Sequence, residues 1–282
     1  MAVKFIVDSA ADIIPSEAKE MGIIHIPLKV LFGEEEFADG VDMTHSEFYE
    51  RLIESDTLPT TSQIPPADFM EVFEEVTKSG DTAIVVTISS KLSGTYQSAM
   101  IAAEDYEGKV FVVDSENACI GERILVLRGL ELAEQGLGAK EIAKTLDEEK
   151  KKIRLMALLD TLEYLKKGGR ISAATAFAGN ILSIKPVIGI EEGAVTQLGK
   201  ARGSKQGNNL LRELIHNCGG INFDKPYCLA YSGLSDKLLQ KYVADSTELW
   251  QEKVENLPIS TVGCVIGTHV GPGAVAVAFF EN

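Results

Sequence analysis

Val85-Val86-Thr87-Ile88-Ser89-Ser90-Lys91-Leu92-Ser93-Gly94-Thr95-Tyr96-Gln97-Ser98-Ala99 runs from an apolar, β-branched stretch through hydroxyl residues into a helix-forming one. A strand, a polar turn and a helix in that order form the repeating unit of a parallel α/β sheet, with the turn at the strand's carboxyl end. A helix start leaves backbone N–H groups unpaired and carries partial positive charge, so a carboxylate or phosphate gains hydrogen bonds and a favourable field there. A serine at the same point also serves as an ordinary helix cap. On this stretch alone both readings of Ser93 stay open.

The same alternation extends on either side. Phe5-Ile6-Val7 leads into the polar turn Asp8-Ser9, Pro15 suits a first helical turn, and Ile23 to Leu31 reads as a second strand. Thr44-His45-Ser46-Glu47 is a capping box that opens a helix to about Ser55 and leaves His45 exposed in its first turn. The stretch from Thr57 to Pro66, with three prolines and four hydroxyl residues, reads as an irregular loop, and a helix then runs to about Lys78. Thr82 to Ile88 is a strand, Ser93 to Glu104 a helix and Lys109 to Val113 a strand, followed by helices at about Ile120 to Gln135 and Ala139 to Lys152. Such alternation implies right-handed crossovers and a parallel sheet.

From Ile153 the pattern changes. Val187 to Ile190 and Val195 to Leu198 form a hairpin around Glu191-Glu192-Gly193. Helices at about Lys205 to Asn217 and Ser235 to Val254 flank the strand Tyr227 to Tyr231. Two closing strands, Ile259 to Ile266 and Ala274 to Phe280, enclose a glycine-rich turn, Gly267 to Gly273, that holds His269. The reading predicts two α/β domains: residues 1–152 with a parallel sheet and flanking helices, and residues 153–282 with a mixed sheet.

The 282 residues are 45% hydrophobic and 24% charged, ordinary for a globular protein, and no apolar run reaches the length of a membrane span. Without a signal-peptide layout at the N-terminus, a cytoplasmic protein is expected. Cys119, Cys218, Cys228 and Cys264 are scattered, so neither a zinc site nor a disulfide framework is indicated, and buried free thiols are expected. The net charge of -15 argues against nucleic acid and against stable docking on an anionic membrane. Charge is uneven: residues 150–205 carry a net +7 and the remainder -22. Lys150-Lys151-Lys152 reads as a solvated helix C-terminus, whereas Arg170 and Arg202 stand among glycines and small residues.

Several sites are excluded by spacing. The chain has neither a G-x-x-x-x-G-K-[ST] loop nor a G-x-G-x-x-G between strand and helix, so nucleotide binding by those routes is not expected. Ser93, a downstream Asp and His269 keep the chain order of α/β-hydrolases, making a serine-type acyl hydrolase the rival reading. Lys91-Leu92-Ser93-Gly94-Thr95 lacks the flanking glycines of that nucleophile elbow. A carrier for a long-chain acid fits more of the pattern. The hydroxyl-rich loops around Thr61-Ser62-Gln63 and Ser89 to Ser93 both lead into helix starts and together supply neutral donors for a carboxylate. Affinity would come from the tail, at about 0.8 kcal/mol per buried CH₂ and on the order of 10 kcal/mol for a long chain before binding costs. Ala176 to Leu182 is a candidate lining segment.

The ordered motifs Val7-Asp8-Ser9-Ala10-Ala11-Asp12, Thr61-Ser62-Gln63, Ile88 to Tyr96, Val113-Asp114-Ser115, Leu162 to Ile171, Lys185-Pro186, Lys200-Ala201-Arg202 and His269-Val270-Gly271-Pro272-Gly273 run over nearly the whole chain. In these the sequence resembles the DegV family, the fatty-acid-binding subunits of bacterial fatty acid kinase. The resemblance implies a fatty acid in a tunnel between two α/β domains. Its carboxylate would lie at residues matching Thr61 and Ser93, with Ser62, Gly94 and His269 close by. It also implies a non-catalytic subunit that binds no cofactor and presents the carboxylate to a separate kinase, which carries ATP and Mg. The acyl phosphate would go to phospholipid synthesis through transient acyltransferase or membrane contact. Arg170 and Arg202 match positions implicated in kinase or phosphoryl contact. A lipid sensor without a kinase partner is the remaining alternative.

Overall fold

The computed structural model describes residues 2–172, 183–250 and 256–282. Its strands are β1 (Val3–Asp8), β2 (Ile23–Ile26), β3 (Lys29–Phe32), β4 (Glu35–Ala38), β5 (Thr60–Ser62), β6 (Thr82–Thr87), β7 (Val110–Asp114), β8 (Ile153–Leu158), β9 (Ile184–Glu191), β10 (Ala194–Arg202), β11 (Cys228–Tyr231), β12 (Ile259–Thr261) and β13 (Val275–Phe280). Its helices are α1 (Pro15–Glu20), α2 (His45–Glu54), α3 (Pro66–Lys78), α4 (Thr95–Ala103), α5 (Cys119–Glu134), α6 (Ala139–Glu149), α7 (Glu163–Lys167), α8 (Gly203–Asn217), α9 (Lys237–Asp245), α10 (Thr247–Trp250) and α11 (Cys264–Val270).

Three sheets organise these elements. The first is parallel, in the order β2-β1-β6-β7. Its strands are apolar on both faces because helices cover both, and Val7, Ile84, Val85 and Val86 are fully buried. Strand order reverses between β1 and β6, and the crevice beyond that point is where open α/β sheets place ligands. There the buried Asp8 accepts the amide of Ile88 at 2.8 Å and that of Ala10 at 2.9 Å, tying the two diverging turns together. The second sheet is mixed, in the order β10-β9-β8-β13-β11-β12, antiparallel except for the β11–β12 pair. The architecture is thus a two-domain α/β fold. Helix α5 lies between the two sheets and contacts strands of both, which is why ten of its residues are buried, Glu122 and Arg123 among them.

The third sheet, β4-β3-β5, is small and antiparallel, and it corrects two sequence expectations. Ile23 to Leu31 is two strands rather than one: the chain leaves the parallel sheet at Pro27, which has no amide for a ladder, and Ser9 Oγ accepts the amide of Leu28 at 3.0 Å. Thr60–Ser62, expected to be irregular, forms β5 by pairing with β3, so Thr61 stands opposite Val30. Prolines on either side confine it to an edge without preventing the pairing.

The closing segment differs as well. His269 lies on a helix, α11, and not in a glycine turn between two strands. Gly267 is there for packing, since a Cβ would come within 2.7 Å of both Phe48 and Tyr49 on α2. His45 is half-buried rather than exposed, and burial holds its imidazole below the usual histidine range. Lys150 is buried, donating to the Asp114 carbonyl at 2.9 Å and pairing with Asp147 and Glu116, so only the other members of that lysine run are solvated. The four cysteines are free, and Cys218 is half-buried while the other three are buried. Ala176 to Leu182 and the last turn of the Ser235 to Val254 expectation lie outside the described residues.

Candidate functional site

A cavity of about 370 Å³ lies between the two domains, within the range of small-molecule sites. Its walls come from both halves of the chain: Leu28, Ile88 and Leu92 on one side, Leu155, Ala157, Ile188 and Ala276 on the other, and Val265 and Ile266 of α11. Its polar lining is Thr61, Ser62, Gln63, Ser93, Arg170 and His269.

These residues reach one place by separate routes. Thr61 is carried by β5 and His269 by the last turn of α11, and Thr61 Oγ1 lies 3.0 Å from His269 Nε2. Ser93 follows a turn in which the amides of Leu92 and Ser93 both donate to the Ser89 carbonyl. It does not cap α4 through an N-cap side chain, because the N-cap is Gly94. Instead Ser93 Oγ lies 2.9 Å from Thr95 Oγ1 and accepts the Thr95 amide at 3.3 Å. Gly94 lets the Gln63 amide lie flat against the backbone, where a Cβ would collide with it, and Gln63 is fixed by donating to Ser98 Oγ at 3.0 Å. Arg170 crosses between the halves, its Nε donating to the Leu92 carbonyl at 3.2 Å and its Nη1 to the Gly168 carbonyl at 2.6 Å.

Burial, with the Arg170 charge adding to it, pushes His269 down to about 4. The ring is therefore neutral at pH 7 and offers one N–H and one lone pair. Its Nδ1 is buried without a hydrogen-bond partner among the described residues and sits against Gly168. A hydrolytic triad requires a carboxylate on that nitrogen and a serine on the other. Here the other nitrogen meets Thr61, and among the described residues no hydrogen bond joins Ser93 to His269. No group of three or more His, Cys, Asp or Glu among the described residues could hold a metal ion.

Of the residues named from sequence, Thr61, Ser62, Ser93, Gly94, Arg170 and His269 all line the cavity. Arg202 does not: it is exposed at the end of β10, where its amide donates to Gln206 Oε1 at 3.2 Å as α8 begins. Gln63, placed in the donor loop from sequence but not singled out as a contact, also lines the cavity, and sequence reasoning passed over Ala118 and Cys119. Cys119 holds a left-handed backbone (φ 54°) at the start of α5, a conformation without a reliable signal in a non-glycine residue. For Gln63 the signal was present, as it follows Thr61-Ser62 directly.

Fold and cavity together define a two-domain α/β protein built around an internal apolar chamber with a polar cluster in its wall. A family model described as "Uncharacterised protein, DegV family" matches residues 2–282. A DegV domain-containing protein of Caldanaerobacter subterraneus subsp. tengcongensis is 35% identical over 281 residues, covering 99% of each chain. The chain belongs to the DegV family. Among solved structures, one reporting fatty acid binding of a DegV family protein from Thermus thermophilus superposes with TM-score 0.87 at 30% identity, covering 100% of both chains. DegV of Bacillus subtilis, described as a fatty acid binding protein, superposes with TM-score 0.82 at 30% identity, again covering 100% of both chains.

Proposed function

We propose that this protein binds a long-chain fatty acid in the cavity and holds its carboxylate at Thr61, Ser62, Ser93, Gly94 and His269. The observation that carries the reading is the distribution of polarity in the chamber: aliphatic walls from both domains, with neutral donors gathered around the Thr61–His269 contact. The fatty-acid-binding relatives from Thermus thermophilus and Bacillus subtilis, which share the whole fold, support it. Neutral donors orient a carboxylate, while the Arg170 guanidinium in the same lining is already engaged by the Leu92 and Gly168 carbonyls. Domains 1–152 and 153–282 then divide the task, the first supplying the carboxylate loops and the second much of the acyl wall and a basic surface.

The protein is a carrier and not the catalyst on this reading. A carboxylate attacking a γ-phosphate needs positioning and charge neutralisation, which a separate ATP- and Mg-bearing kinase supplies once the head group is presented. On this reading Arg170, beside His269, would neutralise phosphoryl oxygens, and the exposed Arg202 would contact the kinase. The acyl phosphate would then serve phospholipid synthesis through transient acyltransferase or membrane contact. A cytoplasmic location fits such traffic, and no described helix is long and apolar enough to cross a membrane.

Native mass spectrometry of the purified protein, with extraction of its lipid, is expected to show one long-chain acid per chain. Recovery of protein that neither carries nor takes up palmitate overturns the reading. With a fatty acid kinase, ATP and Mg the complex should yield acyl phosphate, less so with Arg170→Ala or Arg202→Ala. Binding without phosphorylation by any kinase supports the sensor instead, and ester cleavage by the protein alone, lost in Ser93→Ala, supports the hydrolase.

A further inference from the structure

Helix α11 carries His269 at one end and has seven residues, too few to be stable alone, so its position depends on what holds it. Its amino end is held by carboxyl groups far away in sequence. The Gly263 amide donates to Asp12 Oδ1 at 2.8 Å, the Cys264 amide to Asp39 Oδ1 at 3.0 Å and the Val265 amide to Asp39 Oδ2 at 3.2 Å. Both aspartates are 2% exposed, and Gly263, the N-cap, has no side chain to do this work. From outside the helix they satisfy orphan amides that its own N-cap leaves unpaired. Tyr49 Oη donates to the Val262 carbonyl at 3.1 Å and Ser260 Oγ to the Asp12 carbonyl at 3.1 Å, fixing the approach to the helix. At the far end, one turn and a half on, stands the Nε2 contact with Thr61.

We propose that Asp39, with Asp12 in support, is a positioning residue for the head-group site: by clamping the amino end of α11 it sets the rotation at which His269 meets Thr61. The inference rests on the reading that Thr61 and His269 hold the fatty-acid carboxylate. Each residue of slip along a helix turns a side chain by about 100°, enough to take the imidazole away from Thr61. Asp39 is suited to the role because its two oxygens take consecutive amides, which fixes rotation as well as height. The titratable groups around it are His25 and His45, both held below the usual histidine range mainly by burial, with Asp8 and Asp12 and the Cys264 thiol.

Asp39→Asn keeps size and one acceptor while removing the second acceptor and the charge. In lipid-free protein it should move the nitrogen-15 resonances of the His269 imidazole and bring its titration towards that of a free histidine. Palmitate affinity should fall about tenfold, yet less than about twofold when the substitution is made in a His269→Ala background. A role confined to general stability would lower affinity equally in both backgrounds, and that result overturns the proposal. Asp12→Asn, which keeps an acceptor for the single amide that Asp12 holds, should move the same resonance by less. Resonances unmoved in both variants also overturn it. If His269→Ala alone leaves palmitate affinity unchanged, the head-group reading fails, while the His269 resonance still decides the clamp.

Discussion

At the polar cluster, Thr61, Ser93 and His269 arrive from three separate elements and keep their places through individual hydrogen bonds, one of them spanning 208 residues of sequence. The opposite wall is a row across neighbouring strands: Ile188 stands beside Ala157 and Ala157 beside Ala276. That row is held by the backbone ladder whatever its side chains are, so only their volume matters. The contrast teaches that the two parts should fail differently, the wall through bulk and the polar cluster through the loss of single groups.

The largest effect is expected from the wall. Ala276→Phe places a ring in the cavity, and denying a fatty acid about four methylenes of burial corresponds to roughly 3 kcal/mol, or about a hundredfold in affinity. The ladder remains, so the thermal midpoint should change little. Titration calorimetry with palmitate, alongside differential scanning calorimetry, checks both, and undiminished binding would remove this wall from the ligand's path. Next comes the polar cluster. Thr61→Ala with Ser93→Ala deletes two neutral hydrogen bonds of about 1 kcal/mol each, for a loss on the order of tenfold or somewhat more. Unchanged affinity and acyl phosphate yield in the double variant would disconnect these hydroxyls from the head group.

The smallest effect concerns the support beneath the cluster. Burial raises Asp12 to about 8 and Asp8 to about 7, from an unfolded value near 3.8. Between those values the folded protein holds protons that the unfolded chain has lost, so the contribution of each group to stability declines as pH rises, until its folded value is passed. Asp12→Asn abolishes that slope for one group. Its thermal midpoint, relative to wild type, is therefore expected to rise steadily from pH 5 to pH 8. A difference that is flat or falling over that range would show that Asp12 is ionised in the folded protein.

How far these features were legible varies with their range in the chain. The alternation from Phe5 to Lys152 exposed the parallel sheet because strand and helix periods are local properties, and the capping box at Thr44 and Glu47 forms as read. Helix α11 was hidden because its glycines at 263, 267 and 271 look like turn residues, while Gly267 serves contact with Phe48 and Tyr49, which are distant in sequence. Strand β5 was hidden by its prolines, since an edge strand tolerates what a central one does not. The half-buried state of His45 was unreadable for a similar reason: the helix start was correct, but what packs over it comes from Asp39 and Gly263.

Hydropathy period, turn chemistry and charge thus determined the elements and the α/β class, because each depends on neighbours a few positions away, while the roles of the candidate residues came from the family resemblance. Tertiary structure decided that Thr61 faces His269, that Arg202 stands apart from the cavity and that two buried aspartates hold the amino end of α11. Those outcomes depend on which distant surfaces pack together, and packing is a property of the assembled chain, not of any window along it.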